Sequence, residues 1–200
     1  MSIEILQETA LAGLHARYGD PLRQGNPDTV ELSELPLVGL ANLRVDSSSP
    51  VLREALQAAL GVDLPVVPNT VAQGERVTAL WLATDEWCLR ADSLTNGIVA
   101  HVEQALAGQW FAITEQSSGF AVLRLRGPGS RDVLNGGCPL DLHPRTLRPG
   151  QCAQSHFFKA SVLLRPLDGT GDSWEVIVRR SFADYTVRML LDAMEDMQGG

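Results

Sequence analysis

Lysine is almost missing from this sequence: fifteen of its sixteen cationic side chains are arginine, and Lys159 is the exception. Formal charge is -8, with 24 acidic groups and no segment in which basic and aromatic residues interleave. A phosphate backbone would meet net repulsion, so nucleic acid is excluded as an expected partner. Cysteine is scarce as well. Cys88, Cys138 and Cys152 are an odd count with no C-x-x-C pair, which argues against a disulfide scaffold and fits a reducing cytoplasm. No apolar run reaches membrane-spanning length, and no membrane partner is expected. Glu4 and Glu8 stand where a secretory signal would need basic residues ahead of an apolar stretch.

Missing motifs narrow the chemistry further. There is no G-x-S-x-G elbow, and the P-loop pattern is absent. Gly127 and Gly129 do not extend to G-x-G-x-x-G, because Asp132 holds the third position. "DGTGD" (Asp168 to Asp172) lacks the distal glutamate of a calcium loop and reads as a hairpin turn. The acidic pair Asp85-Glu86 reads as a polar turn beside Trp87.

What the chain does hold is 200 residues at 44% hydrophobic content, enough for one large domain with a real core. Charge is uneven: residues 1–100 carry 6 basic and 13 acidic groups, whereas 101–200 carry 10 and 11. Arginine is a weakly hydrated, fork-shaped cation that tolerates burial at interfaces, so the second half is suited to an acidic partner; genome composition is the alternative source of the bias.

Periodicity supplies the elements. Leu6, Ala10 and Leu14 predict a short N-terminal helix, and Tyr18 to Pro36, rich in glycine and proline, reads as an extended arm. Ser49-Pro50, the stripe Leu52, Leu56 and Leu60, and Gly61 predict a capped helix. Val77–Leu82 and Trp87–Arg90 predict a hairpin, followed by a helix capped by Ser93 with Ile98, Val102 and Leu106 on its apolar side. The phrase then recurs. "AVLRLR" alternates, with Leu123 and Leu125 inward and Arg124 and Arg126 outward; "GPGSRDVLNGG" is a short helix; Val162–Leu167 and Trp174–Val178 make a second hairpin. "RSFADYTVRMLLDAM" makes a second amphipathic helix, with Ser181 and Asp184 at capping-box spacing. The order strand, helix, hairpin, helix thus appears near 38–107 and again near 120–195. The expectation is an α+β fold in which two pseudo-symmetric units form one domain over residues 37–200, preceded by a helix and arm at 1–36.

The densest stretch is "GGCPLDLHPRTLRPGQC", Gly136 to Cys152. Cys138, His143, Cys152 and His156 are ligand types for tetrahedral zinc, but no C-x-x-C knuckle is present, and ordinary buried cysteines with capping histidines are the alternative. Cys138, Asp141 and His143 lie close in sequence without any sign that they converge as nucleophile, orienter and base.

Three phrases together resemble one known family. "TALWLATDEWCLRA" (Thr78 to Ala91), "VLRLRGPGSRDVLNGGCPLDLHP" (Val122 to Pro144) and "VIVRRSFADYTVRMLLDA" (Val176 to Ala193) are similar to the gamma subunit of heterotetrameric sarcosine oxidase. "GCPLDLHP" and "RRSFADY" carry most of the specificity, the likeness runs from about residue 36 to 195, and Ala83-Thr84 departs from the family's usual Gly-Pro. The resemblance implies a cytoplasmic complex with alpha, beta and delta partners that demethylates sarcosine to glycine. It yields hydrogen peroxide and, with tetrahydrofolate, methylenetetrahydrofolate. It also implies that FAD, FMN, NAD, tetrahydrofolate and zinc are held by other chains, with no catalytic, cofactor or metal residue on this one, and that the fold is similar to the folate-binding aminomethyltransferases. Those enzymes carry an aspartate pair in a strand whose counterpart here, "FKASVLLRP", has no carboxylate from Phe157 to Pro166. Gly136 to Cys152 is therefore expected to be a proline-braced loop at a subunit interface, with Asp141, His143, Arg145, Arg179 and Arg180 as contact or loop-bracing residues. Local turn capping is the simpler role for Asp141 and His143. A free-standing folate-binding module and a small zinc protein are the competing readings.

Overall fold

Most strands of this chain bury side chains on both faces, and that fixes the layer order. The structure, a computed structural model, describes residues 8–94 and 97–198. One antiparallel sheet holds β1 (Arg23–Asn26), β2 (Val30–Leu35), β8 (Phe120–Arg126), β9 (Ala153–Phe157), β10 (Ala160–Pro166) and β11 (Ser173–Arg179). The second holds β3 (Gly39–Val45), β4 (Val71–Gln73), β5 (Val77–Ala83), β6 (Glu86–Ala91) and β7 (Phe111–Glu115). Their orders are β1-β2-β8-β11-β10-β9 and β4-β5-β6-β3-β7.

Side chains alternate across each strand with period two. In β8, Ala121, Leu123 and Leu125 join the core under α1 (Ala12–Tyr18), α4 (Ser130–Asn135) and α5 (Arg180–Gln198). In β3, Ala41, Leu43 and Val45 pack under α2 (Pro50–Leu60) and α3 (Ile98–Ala105). The intervening residues point the other way, where Val38 and Leu40 of one sheet meet Val122 and Ile177 of the other, flanked by Leu35, Cys88, Phe120 and Leu163. The result is helices, sheet, sheet, helices. Both faces of each sheet are covered, so Arg124 is half-buried in the seam between the sheets instead of pointing to solvent as its alternation with leucine implied.

The N-terminal expectation is corrected. Tyr18 to Pro36 does not run as an arm: β1 and β2 form a hairpin, and β2 adds to β8 with Leu32 opposite Leu125. Val30 and Leu32 bury with Leu22 beneath α1, and the His15 ring bonds the buried Glu34 carboxylate at 2.8 Å. The alternation is too short to register as a period, and its partner strand lies far along the chain. Of the spaced leucines, Leu14 is on α1 and Leu6 lies outside the described residues.

Three caps differ from expectation. Ser49 stands at the N-cap of α2, with Pro50 in the first turn and Gly61 left-handed at the end (φ 69), but its hydroxyl makes no cap bond. Helix α3 begins at Ile98 behind Gly97 (φ 60) and not behind Ser93, because a left-handed residue turns the chain into it. Ser181 lies inside α5, and Asp184 accepts two bonds from Arg188 one turn on, at 2.8 and 3.0 Å, so the pair braces the helix face rather than its start.

Candidate functional site

Three stretches carry polar chemistry: the Gly136 to Cys152 loop, the paired arginines at the junction of β11 and α5, and the seam between the sheets. The loop is anchored by Leu142 and Leu147, both buried in the core, so the side chains between them are held outward. Asp141 builds its turn. One carboxylate oxygen accepts the His143 amide at 3.0 Å and the other the Thr146 hydroxyl at 2.8 Å, while His143 Nδ1 accepts the Arg145 amide at 3.2 Å. These bonds, the His143 amide foremost, hold the Asp141 carboxyl below its ordinary pKa. The loop's far end pairs with the opposite sheet: Val71 donates to Gly150 at 2.8 Å and Cys152 donates to the Asn69 carbonyl at 2.9 Å.

A folded-state pKa below the usual carboxylate value means that the bracing is fully present above that value and is lost as pH falls through the folded one. Replacing Asp141 with alanine should therefore lower the protection factor of the His143 amide, the intrinsic exchange rate divided by the observed one at the same pH, at neutral pH, while wild type loses that protection only in acid. An unchanged protection factor would show that the side chain does not brace the loop.

Asp141, His143 and Arg145 are exposed together on this loop. Arg179 and Arg180 are also exposed, but they sit elsewhere and diverge: the Arg179 guanidinium lies over the Phe120 ring, 5.6 Å from its centroid, and Arg180 donates to the Thr9 carbonyl at 3.4 Å. Among the described residues no hydrogen bond or ion pair joins the two groups.

The cysteines and histidines of the zinc alternative are not drawn together. Cys138 is buried with its thiol toward Ser155 at 3.6 Å, Cys152 is buried with its thiol toward the Trp81 carbonyl at 3.5 Å, and His143 and His156 are exposed. Among the described residues no three His, Cys, Asp or Glu side chains gather as a metal site. Burial pushes the Cys152 thiol up to about 11, and burial together with the Glu175 charge pushes Cys88 up to about 12, so neither is a thiolate nucleophile near neutrality.

Between the sheets the structure reveals what local sequence did not. Glu175 of β11 is fully buried, bonded by Arg165 Nε at 2.7 Å from the neighbouring strand. Arg90 reaches across from the other sheet, its Nη2 3.1 Å from the second carboxylate oxygen, close enough for attraction but not aligned as a hydrogen bond. Arg90 also pairs with Asp92. The available signal was a charge lodged inside an apolar strand, in "VLLRP" and "WEVIV". Toward the other end of the seam, Leu40, Cys88, Phe120, His156, Ile177 and Arg179 help line a cleft of about 420 Å³.

With this geometry in view, comparisons with known proteins are specific. The profile of the sarcosine oxidase, gamma subunit family matches residues 44–196. The chain is 33% identical over 196 residues to a sarcosine oxidase subunit gamma of Corynebacterium sp. strain P-1, covering 96% of this chain and 94% of that one. It is 36% identical over 144 residues to the subunit gamma of Corynebacterium sp. strain U-96, covering 71% and 68%. Among solved structures, a chain of the heterotetrameric sarcosine oxidase of strain U-96 in complex with pyrrole 2-carboxylate superposes with TM-score 0.84 at 30% identity over 95% of both chains. The glycine cleavage system aminomethyltransferase T of Bartonella henselae shares the fold alone, with TM-score 0.63 at 16% identity over 93% of this chain and 57% of that one. Matched by the family profile over most of its length and by a relative from nearly end to end, this chain belongs to the sarcosine oxidase gamma subunit family.

Proposed function

We propose that this chain is a non-catalytic structural subunit of a heterotetrameric sarcosine oxidase in the cytoplasm, with alpha, beta and delta subunits as its partners. The observation that carries the reading is the likeness, over nearly the whole of both chains, to a chain of a heterotetrameric sarcosine oxidase. The complex would demethylate sarcosine to glycine with release of hydrogen peroxide and formation of methylenetetrahydrofolate, and FAD, FMN, NAD, tetrahydrofolate and zinc would be held by its other chains. Supporting the structural role, both hydrogen-bonded cysteines face backbone or hydroxyl partners, and the exposed polar loop is already ordered, which lowers the cost of docking.

Asp141, His143 and Arg145 on that loop, and Arg179 and Arg180 at the junction of β11 and α5, are the proposed contact or bracing residues. Trp110, 96% exposed where β7 begins, is a side chain of the kind that interfaces enclose. We read the matching strand orders β3-β6-β5-β4 and β8-β11-β10-β9 as a pseudo-symmetric doubling within residues 37–200, with β7 added beside β3 and β2, from the preceding segment, beside β8. A free-standing folate-binding module is the competing reading; the cleft beside Phe120 would be its site, but β10 offers that cleft no carboxylate.

The test is to tag the chain in its host, purify it gently and record the visible spectrum and the masses of what accompanies it. Flavin absorbance with three further chains is expected. A colourless chain without partners would overturn the reading and leave tetrahydrofolate titration as the next measurement. In the same preparation, Arg179→Glu with Arg180→Glu is expected to lower recovery of the complex severalfold at unchanged chain solubility; full recovery would remove both residues from the interface.

A further inference from the structure

At the end of the seam opposite the Phe120 cleft lies a second hollow of about 410 Å³, walled by the β4–β5 turn, β6, β8 and the β10–β11 hairpin. Its lining is unlike the rest of this acidic chain. Arg76, Arg90, Arg124 and Arg165 face it, with Glu75 and Asp92 at its walls and Glu175 beneath. Four cations against three carboxylates leave one positive charge in excess, on a protein whose formal charge is -8.

Two features make this more than a basic patch. Arg90 and Arg165 are each more than nine-tenths buried and are held in place by one carboxylate, so their guanidinium forks are ordered before any ligand arrives. The Nε groups of Arg90 and Arg124 are buried and have no acceptor among the described residues. Both Nε groups are closed off from the hollow itself, but they belong to guanidinium groups that line it, and a hollow with one positive charge in excess favours an acceptor that carries negative charge.

We propose that this hollow is an oxyanion site that takes a carboxylate or phosphate group, with Arg90 and Arg124 as donors and Arg165 and Glu175 as the frame that positions them. The site is separate from the proposed interface residues and stands whether or not the chain is catalytic. Carboxylate chemistry has two sources, a small free ligand or an acidic side chain of a partner subunit, and both would satisfy the same forks.

The probe is nitrogen-15-labelled full-length chain titrated with citrate and, separately, inorganic phosphate, at ionic strength held constant with chloride. The arginine Nε–Hε resonances are followed. Those of Arg90 and Arg124 are expected to move saturably with one oxyanion per chain while those of Arg179 and Arg180 stay still. Arg124→Gln should weaken the binding roughly tenfold or more, the scale of a lost hydrogen bond to a charged group. If that variant fails to fold, the titration of the unaltered chain decides alone. Resonances that do not move, or that move equally with chloride, would overturn the proposal and leave the buried N–H groups to water. Citrate that still binds in the native assembly identifies a small ligand; citrate that binds the free chain and is blocked in the assembly identifies a partner's carboxylate, and either result upholds the site.

Discussion

Glu175→Gln is expected to cost about 3–5 kcal/mol of folding stability, the scale seen when one partner of a buried ion pair is removed. Glu175 is fully buried between Arg165, bonded at 2.7 Å, and Arg90, 3.1 Å away from the opposite sheet. The amide keeps the shape but removes the negative charge placed between those two guanidinium groups. Neither arginine can reach full solvation, and Arg124, cross-strand from Glu175, adds a third cation to the same end of the seam. A typical domain has a total stability of about 5–15 kcal/mol, so the loss would be a large part of the whole.

Asp92→Asn supplies the contrast. Asp92 also pairs with Arg90, but its side chain is 84% exposed, and water and salt screen the contact. A change within about 1 kcal/mol is expected there. Urea unfolding of the two variants, with equal slopes to confirm that the same surface is exposed, makes the comparison. A loss at Glu175 no larger than that at Asp92 would mean that the seam is wet and that the triad does not join the sheets.

Local pattern recovered the parts of this fold that depend on near neighbours. The leucine stripe and Gly61 located α2, alternation located β8, and short apolar runs on either side of a polar turn located both hairpins, because each signal is complete within about a dozen residues. What stayed hidden depends on distant partners. Val30 and Leu32 mean little until β8 lies beside them, and Arg124 reads as an exposed residue until a second sheet covers that face. The triad joins positions 90, 165 and 175 from three strands and two sheets. Among the proposed site residues, Asp141 and His143 were legible as turn formers because their partners are two and five residues away, whereas the divergence of Arg179 and Arg180 is a consequence of strand pleating and of α5 starting at once after β11.

The N-terminal hairpin gives the second large effect, through a residue it does not contain. Gly127 has φ of +115, and a side chain there would place its Cβ 2.6 Å from the Thr29 carbonyl oxygen and 2.7 Å from that of Pro27. Both obstacles are backbone, so no rotamer change relieves them. The contact cannot simply open, because the Gly129 amide bonds the same Thr29 carbonyl at 2.8 Å while the Gly127 amide bonds the Asp172 carbonyl at 2.8 Å. The turn between β8 and α4 thus clasps the β1–β2 hairpin on one side and the β10–β11 loop on the other. Gly127→Ala is expected to cost about 2–5 kcal/mol, combining backbone strain with overpacking. The loss should be local in origin: amides of β1 and β2, at the sheet edge, lose exchange protection first, while β3, β5 and β6 in the other sheet keep theirs. Gly119→Ala, where a Cβ meets nothing within 4 Å, is the control and should change stability by about 0.5 kcal/mol at most. If residues 18–36 were a loosely held arm, the two alanine variants would melt alike; a large difference, with exchange confined at first to β1 and β2, means that the hairpin is built into the sheet by that one glycine's backbone.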